Sequence, residues 1–370
     1  MGNYNIFNHI FPSRHIKQKN NLSSSPFKNT QDNTSKKIIK TKDFTLQKNI
    51  NIPCIIANGN IISFGCQNLI KFYDISPNPF EIYEIEEYKS KIVALSEYKE
   101  NTLLTSSLFE IKIILLEFDD NEYKNFILKH KILYGFDIGS SMYNCKLISD
   151  ACILKSEDII LCSKENLIIF YKENKYKSHK NIDKGIFSKS YDYVFSYDIK
   201  NNLNSNILYF IAFVFNRVIF FEKNEKIQKT KEISKIYYGI NKTMQMIFND
   251  CLLVCGDKEM YIINVIYKEV ITKYGLNDDS FLSFSFIPFN NCYEYKNDKK
   301  FVYISRNLNG YDLVYCCYKQ DEFIEIYREK NIFEYNVPVL IGINDKTQNQ
   351  DIIIAISECG KGSVFCVNLK

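Results

Sequence analysis

Histidine is the residue that most acid–base and nucleophilic sites require, and this chain of 370 residues contains four, His9, His15, His130 and His179. A catalytic triad needs a histidine held by a rigid scaffold beside its nucleophile. His9 and His15 lie in a polar N-terminal segment, and His130 and His179 lie among lysines, as residues of solvated loops or strand ends do. We therefore expect no catalytic histidine and no enzyme activity.

Cysteine could supply metal binding or redox exchange, and the chain has 12. Cys251 and Cys255 are four apart on a predicted strand, which separates them by about 13 Å, too far to bind one metal ion together. Cys316 and Cys317 are adjacent and are predicted to point to opposite faces of a strand. CxxC spacing does not occur. We expect no metal and no cofactor, and cysteines that are buried as small apolar residues.

Glycine-rich loops that could bind phosphate are not predicted. The segments GCQN, GDKE and ECGKGS lack the GxGxxG and GxxxxGK[ST] spacings, which direct successive amides at a phosphate. After ECGKGS another strand is predicted, not a helix whose amino terminus could hold an anion, so this segment is predicted to be a turn. The acidic pairs Asp119–Asp120 and Asp278–Asp279 lie among lysines and asparagines. We interpret both pairs as parts of solvated loops.

Composition favours a globular protein built from strands. Hydrophobic residues make up 46% and charged residues 24%, while the chain has 28 Phe and 27 Tyr against 13 Gly and 7 Pro. Aromatic residues fit pleated, half-buried surfaces. Residues 1–48 carry nine Lys and Arg against two Asp, a charge of +7, which leaves −3 of the total +4 for residues 49–370. The body therefore lacks the basic surface that nucleic acids require.

Residues 1–48 are predicted to be a disordered basic tail, because their polar clusters follow no sustained period and could bury little. Met1-Gly2-Asn3 begins like a myristoylation signal, although Ile6 stands where Ser or Thr is preferred. Acylation together with the charge of +7 would hold the chain peripherally on a membrane. A mitochondrial presequence is the alternative, although Arg14 is the tail's one arginine.

No segment is predicted to cross a membrane, and no clear signal peptide is present. The longest apolar run, Ile207–Phe215, has nine residues, whereas a membrane span needs about 20. A chain of this size without a signal peptide keeps its cysteines reduced in the cytoplasm. The expected location is therefore cytoplasmic.

From Cys54 onward, seven similar segments repeat along the chain. They are IISFGCQNLIKFYDI from Ile61, LLTSSLFEIKIILLEF from Leu103, IILCSKENLIIFYKE from Ile159, FIAFVFNRVIFFEK from Phe210, LLVCGDKEMYIINV from Leu252, FVYISRNLNGYDLVYCCY from Phe301 and IIIAISECGKGSVFCVNL from Ile352. Their second strong apolar residues, spaced by 42, 56, 51, 42, 49 and 51 residues, are Ile62, Leu104, Ile160, Ile211, Leu253, Val302 and Ile353. A repeat of this length predicts a solenoid, a propeller or another array.

Each segment has an apolar strand, a short polar turn and a second apolar strand, which is the pattern of a hairpin. One hairpin in about 40–50 residues matches one four-stranded blade. The sequence therefore predicts an all-β, seven-bladed β-propeller at residues 49–370, with a β-sandwich or two smaller β domains as alternatives. CIIANGN, KIVALSEYK, NCKLISDACILK and TMQMIFND are predicted innermost strands, and a strand near residues 49–57 is predicted to close the ring.

Residues 185–274 resemble the citron homology (CNH) domain, a WD40-like propeller. The resemblance lies in FNRVIFF at Phe215–Phe221, KEI at Lys231–Ile233 and CGDKEMYIIN at Cys255–Asn264, with weaker similarity at IISFGCQNLIKFYDI. The most similar domains stand at the amino terminus of Vam/Vps-type subunits of the HOPS and CORVET tethers. The resemblance implies endolysosomal vesicle tethering or trafficking, with a Rab-type small GTPase or a tether subunit as partner, at endosome or vacuole membranes.

Two other functions remain open at this point. A WD40-like scaffold subunit of another assembly, such as a ciliary, autophagic or ribosomal one, would have the same fold and different partners. A propeller enzyme would need several His, Asp or Glu side chains at the starts of the innermost strands. The predicted innermost segments contain few such residues, so a protein-interaction propeller without catalytic, cofactor-binding or metal-binding residues is the expected function.

Overall fold

The computed structural model describes residues 37–45, 50–55, 61–74, 80–118, 127–138, 147–163, 166–177, 179–184, 191–197, 207–214, 216–237, 244–248, 250–256, 258–275, 280–286, 299–319, 322–334, 337, 339–345, 350–357 and 359–368. Over these residues the chain is nearly all β. The described strands form seven four-stranded antiparallel sheets, and one 3-10 turn lies at Lys172–Asn174. We call the sheets blades 1 to 7.

Each blade is a meander whose strands run from an innermost to an outermost one. The innermost strands of blades 1 to 7 are β2 (Ile50–Ile55), β6 (Ile92–Lys99), β10 (Ile148–Ile153), β14 (Tyr191–Tyr197), β18 (Met244–Phe248), β22 (Ser280–Phe286) and β26 (Val339–Asp345). The second strands are β3 (Ile61–Cys66), β7 (Thr102–Ser107), β11 (Ile159–Ser163), β15 (Leu208–Val214), β19 (Cys251–Cys255), β23 (Lys299–Asn307) and β27 (Gln350–Ile356).

The third strands are β4 (Leu69–Asp74), β8 (Glu110–Phe118), β12 (Asn166–Phe170), β16 (Arg217–Lys223), β20 (Glu259–Asn264), β24 (Gly310–Lys319) and β28 (Lys361–Asn368). The outermost strands are β5 (Phe80–Ile85), β9 (Ile127–Asp137), β13 (His179–Lys184), β17 (Ile227–Ser234), β21 (Glu269–Gly275), β25 (Glu322–Phe333) and, for blade 7, β1 (Lys37–Thr45). Because strand direction alternates, each blade places its first and third turns on one side of the disc, which we call the lower face. The second turns and the connections between blades lie on the upper face.

The seven repeated segments are the second and third strands of the seven blades, as the sequence predicts. All seven of their aligned apolar residues are buried, at 2% exposure or less. KIVALSEYK, NCKLISDACILK and TMQMIFND each contain an innermost strand, which confirms those three predictions. The strand predicted at CIIANGN instead covers Ile50–Ile55 and so begins before it.

The core consists of seven apolar clusters, and each cluster lies between two consecutive blades. Blades 1 and 2 share the cluster around Phe72 and Leu103, and blades 4 and 5 share the one around Phe220 and Tyr261. The seventh cluster joins blade 7 to blade 1. Each blade thus buries both faces against its neighbours in a closed ring. The fold is a seven-bladed β-propeller, as predicted from the repeats.

Ring closure differs from the sequence prediction. We expected a strand near residues 49–57 on the last strand of the chain, but Ile50–Ile55 is the innermost strand of blade 1. The edge of β28 pairs instead with β1, in a register that joins Lys37 to Asn368 and Thr45 to Lys361. Residues 37–45 therefore belong to blade 7, and the boundary predicted at residues 48 and 49 is wrong. The rest of the predicted tail, residues 1–36, lies outside the described residues.

Two contacts fix β1 on β28. A Cβ at Gly362 would overlap the ring of Phe44, so the ring packs directly on the glycine backbone. The Ser363 hydroxyl donates to Oδ1 of Asp43 at 2.6 Å. A side chain at position 362 is therefore incompatible with this position of the Phe44 ring.

We predict that Gly362→Ala lowers the free energy of unfolding by about 1–3 kcal/mol, because the added methyl displaces the Phe44 ring. In the Phe44→Ala background the same change should cost much less, since the obstacle is gone. Urea unfolding of the two single variants and the double variant measures this coupling. Gly275→Ala is the matched control, because a Cβ at Gly275 would meet nothing within 4 Å. Additive losses in the double variant would contradict the contact.

Candidate interaction surface

The structure places one of the two described histidines at a strand end, as the sequence predicts, and the other inside a strand. His130 lies within β9, where its Nδ1 is 2.8 Å from the hydroxyl oxygen of Tyr83 and its Nε2 is 2.9 Å from Oε1 of Glu87. Its side chain is 17% exposed. Because Tyr83 belongs to blade 1 and Glu87 to the connection that follows it, His130 joins blade 2 to blade 1 and its connection. His179 begins β13 and stacks on Phe170.

The two N-terminal histidines, His9 and His15, lie outside the described residues, as do the acidic pairs Asp119–Asp120 and Asp278–Asp279. The predicted turn ECGKGS does connect β27 to β28, and Gly360 in it has a φ of 81°, which favours glycine. GDKE likewise connects β19 to β20. Both segments are hairpin turns, as predicted.

The cysteines that we considered as metal ligands lie in the core. Cys251, Cys255 and Cys316 belong to one apolar cluster between blades 5 and 6, and Cys317 is also buried. Burial raises the pKa of the Cys255 and Cys316 thiols well above the ordinary value. In the described part of the chain, no three His, Cys, Asp or Glu side chains come together as a metal would require.

No helix among the described residues is long and apolar enough to span a membrane.

Charged side chains instead form a row of ion pairs that crosses blades 2 to 5 on the lower face. Lys99 at the end of β6 pairs with Glu157 of blade 3. The Nζ atom of Lys223, in blade 4, lies 2.7 Å from Oδ2 of Asp158 in blade 3. The Nζ atom of Lys268, in blade 5, lies 2.5 Å from Oε1 of Glu222 in blade 4. Each pair joins two neighbouring blades, so the turns of this face hold one another in place.

Glu157 is the carboxylate of this row that pairs with two lysines. It has a φ of 65°, a left-handed conformation that is costly for a residue with a side chain. Its carbonyl oxygen accepts a hydrogen bond of 2.9 Å from the Tyr176 hydroxyl, and its carboxylate pairs with Lys172 as well as Lys99. Burial raises the Glu157 pKa, but the two ammonium groups outweigh this effect and hold that pKa below its ordinary value.

The same face presents two apolar side chains at the turn from β20 to β21. Tyr267 is 69% exposed and Ile266 is 44% exposed. The turn that holds them is rigid, because Oδ1 of Asn264 accepts hydrogen bonds of 2.9 Å from the backbone N–H groups of both residues. The backbone N–H of Val265 donates to the carbonyl of Asp250 at 2.7 Å. Large apolar side chains on a fixed, exposed turn are typical of protein-binding surfaces.

Blade 4 holds this turn from the side. Nζ of Lys231 on β17 donates to the carbonyl oxygen of Tyr267 at 3.2 Å. Lys268 has a φ of 56°, and its Nζ reaches the Thr230 hydroxyl at 2.8 Å in addition to Glu222. We call Ile266, Tyr267, Lys231 and Lys268 the blade 4–5 surface. Its aromatic residue is held through its backbone, to which the Lys231 ammonium donates.

Sequence reasoning did not identify Tyr267, because the segment IINVIYKEV continues the apolar pattern of β20 through the turn. The one local signal is Asn264, since Asn is frequent in turns, where its side chain hydrogen-bonds to the backbone two residues further on. Tyr261 and Tyr267 are indistinguishable in the sequence, although the first is 2% and the second 69% exposed. The packing of the neighbouring blade decides which of them is free to bind.

No protein-family model and no curated protein sequence matches the chain. Solved structures do match it. BBS1N, described in complex with ARL6DN, matches at a TM-score of 0.58 and 10% identity, over 90% of this chain and 98% of that one. The Cps50 (Swd1) β-propeller domain of Myceliophteria thermophila matches at 0.60 and 10%, over 90% and 100%. Sqt1 of Saccharomyces cerevisiae matches at 0.55 and 9%, over 88% and 98%.

These three neighbours are WD40-like seven-bladed β-propellers. Identities near one residue in ten show a shared fold and nothing about a shared partner. The chain therefore has the seven-bladed β-propeller fold that its repeats predict. Its relation to the citron homology domain remains a prediction.

We predict that Glu157→Gln lowers the free energy of unfolding by about 1 kcal/mol at neutral pH, because two lysines lose their carboxylate. A carboxylate whose pKa is lower in the folded than in the unfolded chain stabilises the fold at pH values above the unfolded pKa. This stability is lost as the pH falls through the folded pKa. The difference between variant and wild type should therefore vanish well below the ordinary Glu value of 4.5. Urea unfolding across this pH range tests it.

The control is Glu173→Gln, because Glu173 is exposed and has no ion pair with another described residue. This substitution should leave the free energy of unfolding unchanged, both at neutral pH and well below the ordinary Glu pKa. An equal loss in both variants would show that the Glu157 pairs contribute nothing specific.

Proposed function

We propose that this chain is a non-enzymatic protein-interaction scaffold of endolysosomal vesicle trafficking, which binds a Rab-type small GTPase or a tethering-complex subunit through the blade 4–5 surface. The observation that carries the proposal is Tyr267, whose side chain is 69% exposed on a turn held by hydrogen bonds to two blades. A rigid aromatic anchor loses little conformational freedom on binding, which is why tyrosine is enriched at the centres of interfaces.

The charges around Tyr267 suit a partner with an acidic rim. Lys231 on β17 is exposed, and its Nζ contacts the Tyr267 carbonyl and no described carboxylate. Unneutralised lysines beside an apolar centre favour association with acidic surfaces and speed the encounter. The combination supports binding of a folded protein surface.

The trafficking role rests on the resemblance of residues 185–274 to the citron homology domain. The blade 4–5 surface lies within those residues. One structure with a similar fold is described as BBS1N in complex with ARL6DN, which gives a propeller of this architecture a protein partner. For the present chain we infer a location in the cytoplasm and peripherally on endosome or vacuole membranes, with the basic segment 1–36 contacting the lipid and no role in nucleic-acid binding.

Affinity purification of the full chain from its native cell tests the proposal. We expect Tyr267→Ser to reduce recovery of the principal partner, in line with a loss of about tenfold or more in affinity. Leu308→Ser is the matched control, because Leu308 is 99% exposed on the opposite, upper face. It should recover the partner as the wild type does.

Two results would contradict the proposal: one concerns the binding site and the other the trafficking role. Equal recovery with Tyr267→Ser and the wild type would show that the blade 4–5 surface is not the binding site. Recovery of axonemal, ribosomal or metabolic proteins alone would leave the scaffold function intact and overturn the trafficking role. Thermal unfolding of both variants should match the wild type, since both side chains are exposed.

A further inference from the structure

The outermost strand of blade 2 has a free edge lined by apolar side chains. β9 has 11 residues, whereas outermost strands are commonly kept short or charged to prevent unwanted pairing. One edge of β9 pairs with β8, and no described strand pairs with the other edge. The consecutive residues Ile132, Leu133 and Tyr134 are 38%, 38% and 36% exposed.

These three side chains cover both sides of the strand. Ile132 lies opposite Ile114, which packs in the cluster shared with blade 1, and Tyr134 lies opposite Ile113, in the cluster shared with blade 3. Leu133 between them is an extra residue, because the register shifts there. Side chains on both faces of β9 are therefore exposed, which means that the edge of the strand is open and not one face of the sheet.

Unpaired lysines surround this edge. The Tyr134 and Tyr176 rings meet edge to face with centroids 5.2 Å apart, which places Lys175 and Lys177 beside β9. The hydrogen bond from Tyr176 to Glu157 brings the turn that contains Lys155 to the same place. Four exposed lysines of this region have no carboxylate partner among the described residues; they are Lys131, Lys155, Lys175 and Lys177.

Among the described residues, acidic groups do not balance them. Glu157 is already engaged by Lys99 and Lys172, and Lys129 on β9 is engaged by Glu117. Glu173 is the exposed carboxylate in the adjoining turn. The described residues at the open edge therefore combine an excess of positive charge with apolar side chains and with backbone groups that no described strand pairs.

We propose that β9 binds an extended, acidic segment of a partner protein. The segment pairs edge-on with β9 before the bulge at Leu133, as a fifth strand of blade 2. Its backbone satisfies the free groups of the edge, its apolar side chains cover Ile132 and Tyr134, and its carboxylates meet the lysines. The site is separate from the blade 4–5 surface, so it stands whether or not that surface binds a GTPase.

The probe is a fluorescein-labelled peptide as long as β9 in which Glu alternates with Val, added to the full-length chain. Fluorescence anisotropy should show saturable binding that weakens as salt is added, because exposed charges are screened. The same peptide with Lys in place of Glu should not bind. The triple variant Lys131→Glu, Lys175→Glu, Lys177→Glu should weaken binding of the Glu peptide by about tenfold or more.

The matched control is Lys235→Glu, Lys258→Glu, Lys330→Glu, which makes the same change in net charge at exposed lysines on other blades. It should bind the Glu peptide as the wild type does. Leu133→Asp, with its carboxylate placed at the edge, should also weaken binding. Thermal unfolding of each variant confirms that the propeller is intact.

Three outcomes would overturn the proposal. The first is equal weakening by the two triple variants, which would reveal general charge attraction. The second is unchanged binding in the Lys131 triple variant. The third is stronger binding of phosphatidylserine vesicles that compete with the peptide and depend on the same lysines, which would make this patch a membrane surface.

Discussion

The pairing of β1 with β28 is the constraint on which the rest of the molecule depends. Each blade has two apolar faces, and both are covered only by the neighbouring blades. A ring that fails to close would therefore leave two apolar faces and a free strand edge in water. Residues 37–45 and 361–368 prevent this, although more than 300 residues separate them in the chain.

Closure of the ring also explains how the lower face is held rigid by its described strands and turns alone. The turns of blades 2 to 5 are joined by ion pairs that reach from one blade to the next, and a comparable contact joins blades 6 and 7. There the fully buried carboxylate of Asp351 accepts from Lys300 at 3.0 Å and from the Tyr315 hydroxyl at 2.5 Å. Because such pairs need both blades at a fixed angle, they stabilise the ring and depend on it. A turn such as that of Tyr267 is held still as a result.

The sequence predicts the part of the fold that repeats. Ile62 and its six counterparts occur at a blade's period because each must fill the same place between two sheets, and this pattern is legible without a structure. The strand β1 is not predictable in this way. Its sequence KIIKTKDFT buries mainly Ile38 and packs Phe44 on a glycine, so it shows the polar composition of a tail. Its partner is distant in sequence, and no local propensity reports that pairing.

The interaction surfaces were less predictable than the fold. His130 was assigned to a solvated loop because lysines flank it, yet its partners Tyr83 and Glu87 come from the preceding blade and its connection. The solvent exposure of Tyr267 and of Leu133 depends on which side chains the adjacent blade covers. These contacts between blades cannot be inferred from the amino-acid composition. The sequence does show that the GxGxxG, GxxxxGK[ST] and CxxC spacings are missing, since such spacings are defined along the chain.

Amide hydrogen–deuterium exchange of the full chain tests the central claim, that an N-terminal strand closes a seven-bladed ring. The account predicts that the β28 amides facing β1, and the amides of residues 37–45 that pair with them, exchange as slowly as those between the third and outermost strands of other blades. If residues 37–45 exchange at the rate of unprotected chain while β26 to β28 stay protected, the ring is not closed by β1.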